Sequence, residues 1–287
     1  MGKPSNGKHL AYGKYRPGVV GVFLLIHIVA LGVFFVRFRV GYLWWLLATY
    51  TIRMFGVTAG YHRYFSHRSY KLGRIGQFVM AFLAQTSGQK GVLWWAAQHR
   101  IHHRHSDREN DVHSPARRGF WWSHAGWVLS NEFDAYDARS VADFGKYPEL
   151  RWIDRHHWVP GLSFATAMAL ILLVTGDAGF FLWGYVLSTV LLYHCTFAIN
   201  SFAHVFGTQR FDTADHSRNN WLLALVTLGE GWHNNHHRFM AAARQGFYWW
   251  ECDLTYYMLK LMSWLGLIWD LKTVPLPVRD NPLRRLR

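Results

Sequence analysis

Apolar residues gather in four stretches of near-membrane length. Residues 19–36 are interrupted only by His27, and residues 41–60 carry Tyr50 and Arg53 inside them. Residues 161–175 and 178–198 form the second pair. A span needs roughly 20 residues, so the third stretch is short, and Trp158 and its neighbours complete it at the interface as 159–175. The links at 37–40 and 176–177 are very short, which makes each pair a tight helical hairpin. Two hairpins put both links on one membrane face, and both termini, 61–158 and 199–287 on the other. Two further segments have helical spacing but are too polar to span. Residues 70–98 include Arg74, Gln77, Gln85, Gln89 and Lys90, and residues 248–270 include Trp249, Trp250, Trp264 and Trp269. Both read as helices lying at the interface. The expected architecture is an all-α integral membrane protein, a single domain over 1–287. Four transmembrane helices in two hairpins carry a helical cap built from 61–158 and 199–287.

Composition sharpens this picture. Of 287 residues, 51% are hydrophobic and 17% aromatic. Mean hydropathy is nevertheless near zero, because apolar stretches are averaged with Arg- and His-rich ones. The formal charge is +14. Nearly all Lys and Arg fall on the face opposite the links, which the positive-inside rule makes cytoplasmic, with Arg37 and Arg39 outnumbered. With no nucleic-acid-binding motif, the charge is assigned to membrane and protein partners and not to nucleic acid. Cys195 and Cys252 form no CxxC motif or disulfide framework. The basic stretch Lys3 to Arg16 runs into the first apolar segment without a processing site, so no cleaved signal is expected.

The chain has 18 histidines, and most are clustered. His62 and His67 follow the second apolar stretch at H-x4-H spacing. His99, His102 and His103 form H-x-x-H-H, and His233, His236 and His237 repeat it. Residues i, i+3 and i+4 share a helix face, so each of these triplets could aim three imidazoles one way. His204 lies just past the fourth stretch, with Asn200 one turn before it. All these histidines belong to the cytoplasmic side. Nine imidazoles exceed the four ligands of one tetrahedral zinc, so two ions are implied. Imidazole suits Zn, Cu, Fe and Ni, and no cysteine lies near enough for an iron–sulfur cluster. Redox-active iron at the edge of an apolar layer could use O₂ to oxidise an unactivated C–H bond. Zinc could occupy the same imidazoles as a non-native replacement but has no redox chemistry.

These boxes, with Asn200-Ser-Phe-Ala-His204, resemble those of the membrane fatty acyl desaturases of the stearoyl-CoA type, in a form without a fused cytochrome b5 domain. The resemblance runs from about residue 20 to 272 and includes Gly56-Val-Thr-Ala-Gly-Tyr-His62, Arg118-Gly-Phe-Trp-Trp-Ser-His-Ala-Gly-Trp127, Gly229-Glu-Gly-Trp-His233 and Trp264-Leu-Gly-Leu. It implies a diiron centre held by His62, His67, His99, His102, His103, His204, His233, His236 and His237, with Asn200 acting through a water. It also implies that Gln89, Trp95 and Thr196 bend the acyl chain at the metals. Asp107, Glu230 and His124 are candidates for orienting ligand imidazoles. His27 reads as a histidine bonded to a neighbour within its span. Tyr50 and Met54, four residues apart, are expected to share a face and close the acyl tunnel, setting chain length.

The implied reaction is acyl-CH₂-CH₂ + O₂ + 2e⁻ + 2H⁺ → acyl-CH=CH + 2H₂O, giving a cis double bond near C9. The family's animal members carry a basic pair where this chain has Asn131 and Glu132, and Lys90, Phe197 and Met240 depart as well. The acyl head group is therefore open between CoA, a membrane lipid and a carrier protein. No flavin or nicotinamide fingerprint is present, so electrons are expected from a ferredoxin or cytochrome b5-like donor drawn to the basic face. A diiron hydroxylase or alkane monooxygenase is the nearest rival. A metal transporter would place its ligands across the spans and not at one end.

Overall fold

The computed structural model describes residues 13–281. The start of the basic stretch at Lys3 and the last six residues lie outside them. The first hairpin joins α1 (Pro17–Phe34) to α2 (Val40–Phe55), and the second joins α6 (Trp158–Thr175) to α7 (Ala178–His204). Pro17 opens α1, where a missing N–H costs nothing. Between α6 and α7, Gly176 turns left-handed (φ 65°) and Asp177 caps the next helix by accepting from Gly179 N at 2.9 Å. The two links touch: Asp177 pairs with Arg39 at 2.7 Å and accepts from Tyr42 at 2.6 Å. Both links therefore lie together at one end of the molecule.

Among the described residues, three helices are long and apolar enough to cross a membrane: α1, α6 and α7. The expected span at 41–60 differs. Its α-helical part is 16 residues long, and at Gly56 it passes into an 11-residue π-helical segment, Gly56–Ser66, buried throughout. Arg53 is buried within α2, donating to Thr86 O at 3.1 Å and Ser188 Oγ at 2.9 Å. A polar interior contact accounts for the arginine in this helix, while Leu43, Trp44, Leu47 and Ile52 are exposed on its other side.

The rest assembles around that π segment. α3 (Arg74–Gln85) and α4 (Val92–His105) occupy the stretch expected to be interfacial, and both pack on Gly56–Ser66. Gly56 permits the approach, since a Cβ there would meet Leu83 O at 2.8 Å. α5 (Pro148–Arg155) packs on α3 and α4. α8 (Trp221–Val226), α9 (His233–Arg238) and α10 (Leu254–Trp264) complete this helical assembly. A two-residue antiparallel pairing, Lys71 with Trp269 and Leu72 with Ile268, ties its end to its beginning. Trp249, Trp250, Trp264 and Trp269 are all exposed, as an interfacial belt requires.

Arg63, in the π-helical segment, is fully buried. It donates to Glu230 at 3.1 and 3.2 Å, to Asp253 at 3.1 Å and to the Ala243 carbonyl at 2.7 Å. Asp253 also caps α10 through Tyr256 N at 3.0 Å. Arg63→Met would leave two buried carboxylates without their cation, a loss of about 3–5 kcal/mol. Its unfolding temperature is expected to fall well below wild type. Arg74→Met, at the exposed Arg74–Glu149 pair, is expected to change it little.

Candidate functional site

Nine histidines converge at the junction of the π segment, α4, α7 and α9. Two groups form, each with ring nitrogens mutually within 4.8 Å. His62, His67, His99, His103 and His236 make one, and His102, His204, His233 and His237 the other. The triplets do not each aim one way, as their spacing predicts. His99 and His103, one α-turn apart, serve the first group, while His102 turns to the second. α9 reverses the pattern: His233 and His237 serve the second group and His236 the first. The H-x-x-H-H motifs thus interlock, each giving two imidazoles to one group and one to the other.

His62 and His67 depend on the π winding. On an α-helix, residues five apart are rotated by about 140° and face different ways. Here His67 N donates to His62 O, five residues back, at 3.3 Å, and the rings lie 4.9 Å apart. π turns of this kind are frequent at functional sites. Delivery of α9 depends on Gly231, where a Cβ would meet Ala224 N at 2.0 Å.

The rings turn their Nε2 atoms inward. Nε2–Nε2 separations are 3.0 Å for His62–His236, 2.9 Å for His67–His99, 3.0 Å for His99–His103 and 2.9 Å for His103–His236. In the second group His204 and His233 are 3.0 Å apart. The buried Nε2 atoms of His102 and His237 have no hydrogen-bond partner among the described residues. Several outward Nδ1 atoms donate to carboxylates. His102 is held by Asp111 (2.9 Å), His204 by Asp107 (3.1 Å) and His237 by Asp215 (2.7 Å), and His62 contacts Glu230 and Gln245. A donor bond at Nδ1 fixes the tautomer and leaves the Nε2 lone pair for a cation. Asp111 and His113 also lie near His102, but Asp111 is committed to its Nδ1.

Electrostatics agree with this role. Burial, reinforced by neighbouring imidazoles, drives His67, His99, His103, His233 and His236 well below the usual range, so they are neutral donors. Burial also takes His237 down to about 4, despite Asp215. Burial would likewise lower His102, but Asp111 outweighs it and the net shift is upward. Burial would raise Asp107, Asp111 and Asp215, yet their histidine partners hold all three well below the carboxylate range. Nine imidazoles with inward lone pairs, two of them orphaned, suit two metal ions.

A cavity of 590 Å³ reaches this centre at His99. Gln89, Trp95, Thr196 and Asn200 line it, as do Val19, Val22, Phe23 and Ile26 of α1. Trp95 Nε1 donates to Gln89 Oε1 at 2.9 Å, Gln89 Nε2 lies 3.5 Å from Thr196 Oγ1, and the Trp95 ring stacks on His99 at 4.9 Å. Tyr50 and Met54 do not line the cavity, against expectation. Met54 is 1% exposed in the core, and Tyr50 donates to the Val226 carbonyl. α2 packs against the flank of α7, and α7 turns Thr196, not α2, towards the cavity. Tyr185 of α7 lines it in their place.

Of the candidate orienting residues, Asp107 and Glu230 contact ligand-type imidazoles, whereas His124 contacts Ser201 and His194. Asp111, Asp215 and Gln245 were not apparent in the sequence. Asp111 follows His102 by nine residues, a weak cue, and Asp215 sits in a loop with none.

A model of the fatty acid desaturase family matches residues 38–263. The chain belongs to that family. The desaturase is 37% identical over 264 residues to the sn-1 stearoyl-lipid 9-desaturase of Synechocystis sp., covering 90% of this chain and 80% of the relative. It is 37% identical over 218 residues to the enzyme of the same name from Anabaena variabilis, covering 76% and 78%. An acyl-CoA 5-desaturase of Anemone leveillei is 36% identical over 244 residues, covering 84% and 74%. The protein is a fatty acyl desaturase, an oxidoreductase, and O₂-dependent chemistry at a diiron centre is that of its family.

Acid should unmake the site in a defined window. Six of the buried imidazoles, His67, His99, His103, His233, His236 and His237, titrate below their unfolded value of roughly 6.5, so their contribution is complete above that pH and lost as pH falls towards their folded values. The unfolding temperature of chelator-treated desaturase, followed by tryptophan fluorescence, is expected to drop between about pH 6.5 and 4. The carboxylates, depressed in the fold, add losses only at lower pH. In a separate test, Asp111→Asn and Asp215→Asn are each expected to weaken metal binding by about 10–100-fold in a competition titration.

Proposed function

We propose that the desaturase introduces a cis double bond near C9 of a saturated long-chain acyl group carried on a membrane lipid. His62, His67, His99, His103 and His236 would hold one iron, and His102, His204, His233 and His237 the other, with Asn200 acting through water. When bound, the iron pair supplies O₂-dependent oxidation of a methylene pair. The chain's own part is to exclude water and fix which carbons face the metals, since a methylene chain offers no polar handle. Gln89, Trp95 and Thr196, bonded to one another across the cavity beside His99, are suited to hold a bend there. Tyr185 takes over the chain-length role first assigned to Tyr50 and Met54.

The observation that carries the head-group reading is the state of the basic residues beside the cavity. Arg16 and Lys90, which line it, both pair with Asp134. Arg118 pairs with Glu132, which also accepts from Gly13 N at 2.9 Å. Cations already neutralised are poorly placed for a nucleotide's phosphates, and two of the relatives above are named as lipid desaturases. An acyl-CoA substrate is the second reading, favoured by the Anemone leveillei relative, and an acyl-carrier protein is a third.

The proposed setting is a multi-pass membrane protein. α2 makes a fourth span beside the three apolar helices, and the metal centre and both termini face the cytoplasm. The +14 charge supports this and suits an acidic ferredoxin or cytochrome b5-like donor.

The test is expression in cells lacking unsaturated fatty acids, with chromatography of lipid methyl esters. Wild type is expected to yield products two hydrogens lighter, and His102→Ala or His236→Ala none while still inserting in membranes. A product heavier by one oxygen would mark a hydroxylase. In parallel assays, acyl-lipid is expected to be turned over in preference to acyl-CoA and acyl-carrier protein. Protein loaded with zinc is expected to be inactive.

A further inference from the structure

Three histidines outside the two metal groups form one continuous hydrogen-bonded chain. It starts in the membrane-spanning part of α1, where His27 Nδ1 lies 2.6 Å from the Phe23 carbonyl. His27 Nε2 meets His194 Nε2 of α7 at 2.9 Å, and His194 Nδ1 meets His124 Nε2 at 2.9 Å. His124 Nδ1 then meets Ser201 Oγ at 2.9 Å. Ionisable side chains inside a span are costly and call for a function. This arrangement is not a metal site, because His194 spends one nitrogen on each neighbour.

The first bond fixes the direction of all the others. A carbonyl only accepts, so His27 Nδ1 donates to Phe23 and its Nε2 accepts. His194 Nε2 must then donate and its Nδ1 accept. His124 Nε2 donates in turn, and its Nδ1 accepts from the Ser201 hydroxyl. That hydroxyl also lies 3.1 Å from the Phe197 carbonyl, its ordinary helical partner. Its single proton goes to His124. Burial beside His194 takes His124 down to about 4, so His124 is neutral at physiological pH.

Ser201 is where α7 changes. It is the last α-helical residue, with φ −103° and ψ −69° off the ideal helical values, and the next turn, Phe202–His204, is 3₁₀. Residues 123 and 124 grip this point together: Ser123 Oγ donates to the Asn200 carbonyl at 2.7 Å while His124 takes the Ser201 hydroxyl. The turn so held carries Asn200 and His204.

We propose that His27, His194 and His124 are positioning residues for the second metal, acting through Ser201 to set the turn that aims Asn200 and His204. The inference rests on His204 being a ligand, as read above. Influence declines along the chain. His124 and Ser201 touch the turn directly, His194 orients His124, and His27 only enforces the direction.

The test is iron content per chain of the full protein, purified in detergent, loaded with Fe²⁺ without air and desalted, read beside unfolding temperature. His124→Ala and Ser201→Ala are each expected to lower iron from two ions per chain towards one. His27→Leu is expected to lose less, and His27→Gln, whose amide oxygen still accepts from His194, to keep two. The double variant His124→Ala/His204→Ala is expected to lose no more iron than His204→Ala alone, because one ion is affected. If His124→Ala and Ser201→Ala unfold at lower temperature yet retain two ions, the histidines merely pack the helices and the inference is wrong. If His204→Ala itself retains two ions, the ligand reading fails first.

Discussion

Nine imidazoles with their Nε2 lone pairs turned into two small volumes are the constraint on which the rest of this structure depends. Left alone, such a cluster is unfavourable: the rings are removed from water, and protonating one penalises its neighbours. The protein holds it with carboxylates placed behind the rings. Asp107, Asp111, Asp215 and Glu230 take outward-facing ring nitrogens, and Glu230 is itself neutralised by Arg63. Asp107 adopts a left-handed conformation (φ 57°) and also accepts from Ser114 and His216. Asp tolerates that conformation better than most residues because its side chain can bond locally.

The same constraint shapes the backbone. The π winding of Gly56–Ser66 is the means by which an H-x4-H pair meets in one histidine group, and the interlocked triplets on α4 and α9 let two helices bridge both groups. The cavity then needs little further machinery. One wall comes from the apolar face of α1, and the Trp95 ring, stacked on His99, joins the cavity to the histidine groups.

Much of this was legible in the sequence. The hairpins at 37–40 and 176–177 and the nine histidines follow from hydropathy and spacing, because apolar runs and histidine boxes leave strong local signals. What was not legible depends on tertiary packing. α2 holds the buried Arg53 and changes winding at Gly56, which no period in the sequence announces. Tyr50 and Met54 share a face of α2, but that face meets the core and the flank of α7, so proximity along the helix did not mean proximity to the cavity. Asp215 supports His237 from 22 residues away, and His194 and His124, unremarkable alone, acquire meaning only as neighbours.

In the proposed function, two histidine groups, of five and four imidazoles, would each hold an iron. Iron-edge X-ray absorption on protein loaded with Fe²⁺ tests it most directly. The expected spectrum has a first shell dominated by nitrogen at imidazole distances, with the outer-shell scattering of several rings, a signal from a second iron, and no sulfur. A spectrum of isolated iron bound mainly by oxygen, with few imidazoles, would contradict it.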